Sequence, residues 1–240
     1  KNKLIKKTVS DFLDELSTDT PAPGGGSVAA LSGALGASLT SMVANLTIGK
    51  KKWINLYENM CTISENSQIL KQKLSNLIDE DTESFNAVMD SFKLPQNNNN
   101  EIKSRKYAIN EAMKNAANTP YITLTMCKKV IENSLIVAEY GNINAITDAG
   151  TGGEMAYAGA KSAALNVIIN LQSIEDQKFC KQIKIDTEKE LLSINELMKK
   201  LESEGIKGAS PYSRWRFVTH YGVDSQDIDY VLEVMADAMR

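Results

Sequence analysis

The glycine-rich segment Thr20–Ser27 has the residue types of a ligand-binding turn. It reads Thr-Pro-Ala-Pro-Gly-Gly-Gly-Ser and precedes a long run without charged residues. Because Gly24, Gly25 and Gly26 have no Cβ atom, the backbone can approach a ligand or another helix closely. Ser27 stands where it could cap the helix that follows. The free N–H groups and the positive dipole end of such a helix would suit an anionic or hydrogen-bonding small molecule.

Two other interpretations of the uncharged run Val28–Ile48 stay open. It is long enough to span a bilayer, although its hydrophobicity comes from Ala and Gly diluted with Ser and Thr rather than from Leu, Ile and Phe. Ala29, Gly33 and Ala37 recur at four-residue spacing, which lets two helices pack closely. Packing alone therefore favours a buried central helix with no ligand at its end.

A second segment, Gly141–Ser173, carries polar side chains among small and apolar residues. These include Asn142, Asp148, Asn166 and Asn170, and the last two are four residues apart and so share one helix face. Buried amides and carboxylates are costly unless they find partners. The segment therefore indicates either helix caps and interhelical hydrogen bonds or a polar pocket between helices.

The elements that must position these residues are predicted to be helices. Apolar residues recur at helical spacing through nearly all of the chain up to about residue 204. Pro120 and Gly141 are predicted to bracket a separate helix. The short connections predict an all-α, antiparallel helical bundle with two buried central helices, Val28–Ile48 and Ile143–Leu171. Two helices that look buried on all sides are more than a small monomer easily hides, so we expect a homodimer.

Composition narrows the function classes. The chain has 240 residues and a net charge of −3, which gives no reason to expect a nucleic-acid partner. Its three cysteines lie far apart, so we expect reduced thiols and a cytoplasmic location. We expect no membrane partner. A single histidine and the absence of paired cysteines argue against a metal site of the zinc type.

Several motifs, in order along residues 5 to 204, resemble the formiminotetrahydrofolate cyclodeaminase and methenyltetrahydrofolate cyclohydrolase family. They are Thr20–Thr47 with Gly49-Lys50-Lys51-Lys52, Asp81-Thr82-Glu83-Ser84-Phe85 with Lys93-Leu94-Pro95, Ala117-Asn118-Thr119-Pro120, Gly141–Asp148 and Asn166–Leu171. The resemblance implies an all-α dimer that acts on tetrahydrofolate one-carbon units. The expected reaction converts 5-formimidoyltetrahydrofolate to 5,10-methenyltetrahydrofolate and ammonia. The alternatives are methenyltetrahydrofolate cyclohydrolase and a non-catalytic helical scaffold.

The reaction that the resemblance implies requires side chains that accept and donate protons, and carboxylates can fill this role. Ring closure removes a proton from the folate anilino nitrogen and adds one to the departing nitrogen, and a carboxylate can do both. A carboxylate also stabilises the cationic methenyl product. Asp148 is the leading acid/base candidate and Asp81 the second, with Glu83 and Glu154 as weaker ones. No cofactor beyond the tetrahydrofolate substrate is expected, and a formiminotransferase, often fused to this domain in the family, is a candidate partner.

The remaining residues are expected to bind the substrate. The glycine segment would form the backbone wall beside the ligand, and the three asparagines would supply amide contacts. The basic cluster after the first long helix suits the polyanionic glutamate tail of folate, and equally a C-terminal helix cap. The expected binding residues are Gly24, Gly25, Gly26, Ser27, Lys50, Lys51, Lys52, Asn142, Asn166 and Asn170. The hypothesis requires the glycine segment and the acidic, amide-lined segment to face each other.

The last part of the chain has a different character. Ser213–Val223 has the aromatic and β-branched residues of a strand, and Asp224–Met239 is typical of a capped helix. We therefore predict a helical domain over residues 1–207 and an atypical strand–helix tail over residues 208–240. The tail is similar to the end of threonine aldolase-like enzymes, but it has no lysine in a cofactor-binding context, so no aldolase activity is assigned to it. His220 is left out of the candidate site.

Overall fold

The computed structural model describes residues 3–204, and in this range the chain consists of helices without strands. Single short 3-10 turns lie at Leu4–Lys6, Lys51–Leu56 and Ile143–Ala145. The α-helices are α1 (Val9–Leu16), α2 (Gly25–Thr47), α3 (Tyr57–Phe92), α4 (Asn99–Tyr140), α5 (Ile146–Leu171) and α6 (Gln177–Glu204). This confirms the predicted all-α class.

The described residues all lie in one compact unit, Lys1–Lys207. The predicted strand–helix tail lies outside the described residues. The division of the chain into domains 1–207 and 208–240 stays a prediction.

Helices α2 and α5 form an antiparallel pair at the centre of the bundle. Gly25, at the start of α2, faces Asn166 near the end of α5. At the opposite end, the backbone N–H of Asn142, just before α5, donates to Oγ1 of Thr47 at 2.9 Å. The helices α3 and α4 pack against α2, and α4 and α6 pack against α5. Each end of the pair therefore has its own set of neighbouring side chains.

Small residues let the backbones of α2 and α5 touch. A Cβ atom on Gly36 would lie 2.5 Å from the carbonyl oxygen of Gly152. Gly33 and Gly159 leave room in the same way for the Sγ atom of buried Cys127 on α4. The four-residue spacing of small residues in α2 thus reflects close helix packing, as the sequence predicted.

Replacing Gly36 with Ala is expected to destabilise the fold. The new methyl group would meet rigid backbone, and overpacking of this kind typically costs about 1–3 kcal/mol of unfolding free energy. Ser38→Ala is the matched control, because the Ser38 hydroxyl bonds only the carbonyl of Ala34 in its own helix. Urea denaturation of both variants measures the effect. An unchanged midpoint for Gly36→Ala would contradict the close packing of α2 on α5.

The helix predicted to begin at Pro120 does not begin there. Pro120 lies inside α4, which is continuous from Asn99 to Tyr140. Proline has no N–H, so it cannot satisfy the carbonyl four residues earlier in a helix. That carbonyl, on Ala116, instead accepts a hydrogen bond of 2.7 Å from Nδ2 of Asn170 on α5. A tertiary partner thus replaces the missing helical bond.

The sequence suggested that the two central helices are buried on all sides. In the described residues, each of them instead has one exposed side. The outward side of α2 exposes Leu35, Met42 and Leu46, and that of α5 exposes Leu165 and Ile169. By length and composition, α2 could also cross a membrane, but most of it is buried against the other helices. Large apolar side chains on both central helices therefore remain exposed in the part of the chain that the structure describes.

Candidate active site

A pocket of about 350 Å³ opens where α2 begins. Four helices contribute to its wall: the first turn of α2, one face of α3, the middle of α4 and the end of α5. The lining residues include Gly24, Gly25, Gly26, Asp81, Phe85, Val88, Phe92, Met113, Ala116, Asn166, Asn170 and Ser173. The glycine segment therefore faces the C-terminal half of the polar segment, but not the half that carries Asn142 and Asp148, which the sequence analysis had also expected there.

Asp81 is the carboxylate of this pocket, and Ser27 holds it. The Oγ atom of Ser27 lies 3.0 Å from Oδ2 of Asp81 and 2.9 Å from the carbonyl oxygen of Ile78. Gly26 makes room for the carboxylate, since a Cβ atom there would lie 2.5 Å from Cγ of Asp81 and overlap Oδ1. The first turn of α2 and this turn of α3 thus fit together around one acidic side chain.

Ser27 does not cap α2, so that prediction was wrong. The helix begins at Gly25 with Gly24 as its N-cap residue, and no side chain caps it. The Ser27 side chain is buried and turned towards α3. Because Gly24 has no side chain to satisfy the first N–H groups of α2, the helix end beside the pocket keeps hydrogen-bond donors.

Burial raises the pKa of the Asp81 carboxyl above its ordinary value of 3.8, and hydrogen bonds from the hydroxyl and backbone of Ser27 offset part of this rise. Desolvation disfavours the charged form, whereas hydrogen bonds to the carboxylate favour it. A carboxyl with a raised pKa in a pocket is suited to accept and return a proton.

Asn166 and Asn170 both line the pocket and both support the helices. Nδ2 of Asn166 donates to the carbonyl oxygen of Ser162 at 2.8 Å, and Nδ2 of Asn170 donates to that of Ala116. Each amide thus uses one of its two N–H donors in these bonds, and its oxygen and second N–H can serve a ligand. The Asn170 bond joins α5 to α4, whereas the Asn166 bond lies within α5.

The other predicted residues lie at the far end of the α2–α5 pair. Asn142 bonds Thr47 and, through Nδ2 at 3.3 Å, the carbonyl oxygen of Leu46. Half-buried Asp148 occupies the first turn of α5. The distance from Asp148 to Asn166 is about 27 Å along α5 at 1.5 Å per residue. One protomer therefore cannot bring Asp148 to the pocket that contains Asp81.

The exposed lysines Lys50, Lys51 and Lys52 follow the C-terminus of α2, also at this far end. In this position they lie next to the negative end of the α2 dipole. Nζ of Lys52 lies 5.2 Å from the ring centre of Trp53. The structure thus separates the basic cluster from the pocket within a single chain, and the roles of these residues stay predictions.

The sequence analysis missed the apolar wall of the pocket. Phe85, Val88 and Phe92 follow Asp81 at intervals of three and four residues, which places all four on one face of α3. Their helical spacing also suits an ordinary apolar helix face, and the sequence analysis gave Val88 and Phe92 no role in the site. The spacing from Asp81 was the signal that could have identified them.

Comparison with known proteins identifies the family of the chain. The family model described as formiminotransferase-cyclodeaminase matches residues 8–189. A protein of Methylorubrum extorquens named methenyltetrahydrofolate cyclohydrolase is 44% identical over 73% of this chain and 85% of its own length. The formimidoyltransferase-cyclodeaminase of Gallus gallus is 30% identical over 73% of this chain but only 32% of its own length.

A solved structure has the same fold. The crystal structure of formiminotetrahydrofolate cyclodeaminase from Thermotoga maritima superposes with a TM-score of 0.76 at 27% identity, covering 85% of this chain and 98% of that one. The match thus extends over almost the whole of the Thermotoga chain. From the family model and the identity to the Methylorubrum protein, this chain belongs to the formiminotransferase-cyclodeaminase family.

Proposed function

We propose that the chain is a folate one-carbon enzyme whose primary reaction is the hydrolysis of 5,10-methenyltetrahydrofolate. Membership of the family supports the folate substrate, and the name of the 44%-identical Methylorubrum protein favours hydrolysis. The observation that carries the catalytic assignment is the Asp81 carboxylate, held by Ser27 against the glycine wall of the pocket. No cofactor beyond the folate takes part in the proposed reaction.

The proposed hydrolysis needs one base and one acid. Water adds to the cationic methenyl carbon while the Asp81 carboxylate takes one of its protons. The bond from this carbon to N5 then breaks, its electron pair stays on N5, and the Asp81 carboxyl returns the proton there. The products are 10-formyltetrahydrofolate and the second proton from water, released to solvent. The carboxylate also lies where it would stabilise the cationic substrate.

Deamination of 5-formimidoyltetrahydrofolate is the second candidate, because the matched Thermotoga structure is that of a cyclodeaminase. N10 would attack the carbon of the protonated formimino group and lose its proton to Asp81. The Asp81 carboxyl would return this proton to the departing nitrogen, which then leaves as ammonia. Assays with each substrate, following methenyl absorbance and released ammonia, separate the two reactions. Turnover of neither substrate would favour the non-catalytic scaffold. A formiminotransferase is a proposed partner if deamination is found.

We further propose that the active form is a homodimer built on α2 and α5. The uncharged α2 exposes Leu35 at 46% and Met42 at 38%, and α5 exposes Leu165 at 68%. An apolar face of this kind is typical of an interface between identical subunits. A two-fold axis across the middle of α2 would set two copies of this helix antiparallel. Asp148 of the partner subunit would then approach the pocket, where its carboxylate would take the second proton of the attacking water and pass it to solvent.

Mixing two defective variants tests this shared site. Asp81→Asn and Asp148→Asn are each expected to lower kcat by about a hundredfold, the scale of a lost acid/base group. After joint refolding, half of the dimers are mixed and carry one intact site of two, so about a quarter of wild-type activity should return. A mixture no more active than its parents would contradict a shared site. Near-normal turnover by Asp148→Asn alone would remove Asp148 from the mechanism.

A further inference from the structure

Pro120 lies in the middle of α4, where a proline is unusual. It is buried, and the helix continues on both sides of it, from Asn99 to Tyr140. Proline lacks the N–H group that would bond the carbonyl oxygen of Ala116, and its ring crowds that carbonyl. A proline inside a helix also makes the helix less stable. The carbonyl that Pro120 leaves without a helical partner is therefore available to another element.

This freed carbonyl belongs to the wall of the pocket. Ala116 lines the pocket that contains Asp81, and so does Asn170 of α5. The Nδ2 atom of Asn170 donates to the carbonyl oxygen of Ala116 at 2.7 Å. The side chain of Asn170 is half-buried and makes no other hydrogen bond among the residues that the structure describes. A carbonyl of α4 thus holds a pocket side chain that α5 supplies.

The bond to Ala116 decides which end of the Asn170 amide is offered to a ligand. A backbone carbonyl only accepts hydrogen bonds, so the amide nitrogen must face Ala116 and the amide oxygen must face away from it. Oδ1 of Asn170 is therefore an acceptor with a fixed position. The pteridine ring of a reduced folate carries N–H groups at its edge, which an amide oxygen can accept. Without the bond, the amide could rotate by half a turn and offer its nitrogen instead.

Asn166, one helical turn earlier on α5, provides a comparison within the same pocket. Its Nδ2 atom donates at 2.8 Å to the carbonyl oxygen of Ser162, which belongs to the same helix. The orientation of the Asn166 amide thus depends on α5 alone, whereas that of Asn170 depends on α4. A change at position 120 should therefore disturb Asn170 and leave Asn166 in place.

We propose that Pro120 is a positioning residue for substrate binding, which acts through the Ala116 carbonyl and keeps Oδ1 of Asn170 available to an N–H group of the pteridine. This inference rests on the proposed function. Any other residue at position 120 would have a backbone N–H group, which would bond the Ala116 carbonyl along the helix axis. Because the proline ring would be gone as well, the carbonyl would turn back towards this axis and release the Asn170 amide.

The test measures KM and kcat of Pro120→Ala with 5,10-methenyltetrahydrofolate. KM should rise by about tenfold, the scale of one lost hydrogen bond. kcat should change by less than about twofold, because a bond to an unreactive part of the substrate contributes equally to the ground state and the transition state. The variant should unfold at the same or a higher temperature, since alanine favours a helix. Pro120→Val, which is closer to proline in volume, serves if alanine leaves a destabilising cavity.

A comparison of double variants identifies the route of the effect. In an Asn170→Ala background, Pro120→Ala should raise KM no further, because the side chain through which it acts is absent. In an Asn166→Ala background, the same substitution should still raise KM by about tenfold. Asn166→Ala is the matched control, since it also removes one amide of α5 from the pocket.

The outcomes separate this inference from the function beneath it. An unchanged KM in both variants of Pro120, or a lower kcat at unchanged KM, would overturn it. A rise in KM that persists in the Asn170→Ala background would also overturn it, because Pro120 would then act by another route. If the wild-type chain turns over no folate, the proposed function fails and this inference fails with it. Normal wild-type turnover together with any of the overturning results removes only the role of Pro120.

Discussion

Asp81→Asn is expected to lower kcat by about a hundredfold or more, the usual scale for loss of an acid/base group. The amide keeps the size of the side chain and can still accept the Ser27 hydrogen bond, but it cannot take up a proton. Glu83→Gln is the matched control, because Glu83 is an exposed carboxylate only two residues away on α3. Steady-state kinetics of both variants with 5,10-methenyltetrahydrofolate measure the difference. Equal activities would show that Asp81 is a structural residue.

The pH dependence of thermal stability provides a second test of the role of Asp81. Burial raises its pKa in the folded chain, so the folded state binds this proton more tightly than the unfolded state. The contribution of this carboxyl to the free energy of unfolding is therefore fully present below its pKa in the unfolded chain. It is lost as the pH rises through its pKa in the folded chain. At neutral pH, Asp81→Asn should unfold at the same or a higher temperature than the wild type, and this difference should shrink in acid.

In the same pH range, the wild-type kcat/KM should fall in acid as Asp81 is protonated. Because the pKa of Asp81 is raised, the midpoint of this fall should lie above 3.8, the ordinary value for an aspartate. An Asp81→Asn variant that is strongly destabilised at neutral pH and fully active per folded molecule would contradict the expectations for stability and for activity.

Gly26→Ala is expected to have the second-largest effect on activity. The new methyl group would overlap the Asp81 carboxylate, which must then move, and a misplacement of about 1 Å can cost a hundredfold in rate. Gly24→Ala is the matched control, since its Cβ atom would meet only the carbonyl oxygen of Pro21 at 3.7 Å. Kinetics and thermal unfolding of both variants separate a shifted carboxylate from a weakened fold. Normal turnover by Gly26→Ala would show that the carboxylate position is not critical.

The bundle could be predicted from the sequence because its signals are local. Apolar spacing identified the helices, and the small residues of α2 identified a close helix contact. The errors arose where a tertiary partner overrides a local rule. Ser27 has the residue type of a cap, but α3 offers its hydroxyl a buried carbonyl and carboxylate. Pro120 has the residue type of a helix start, but Asn170 satisfies the carbonyl that it leaves free.

The candidate site was predicted in part. Asp81, the glycine segment, Asn166 and Asn170 meet in one pocket. Asp148 was ranked above Asp81, although helix geometry already separates it from Asn166, since eighteen residues of helix extend about 27 Å. What the sequence of a single chain cannot give is the position of a second copy, and this position decides whether Asp148 acts at the pocket.

The proposed mechanism requires the folate to lie between the glycine segment and Asp81. A crystal structure of the chain soaked with tetrahydrofolate tests this claim directly. Pteridine density is expected between Gly25 and Asp81, with N5 or N10 of the folate within hydrogen-bonding reach of the carboxylate. Density beside Asn142 and Asp148 of the same protomer, with the pocket around Asp81 empty, would contradict it.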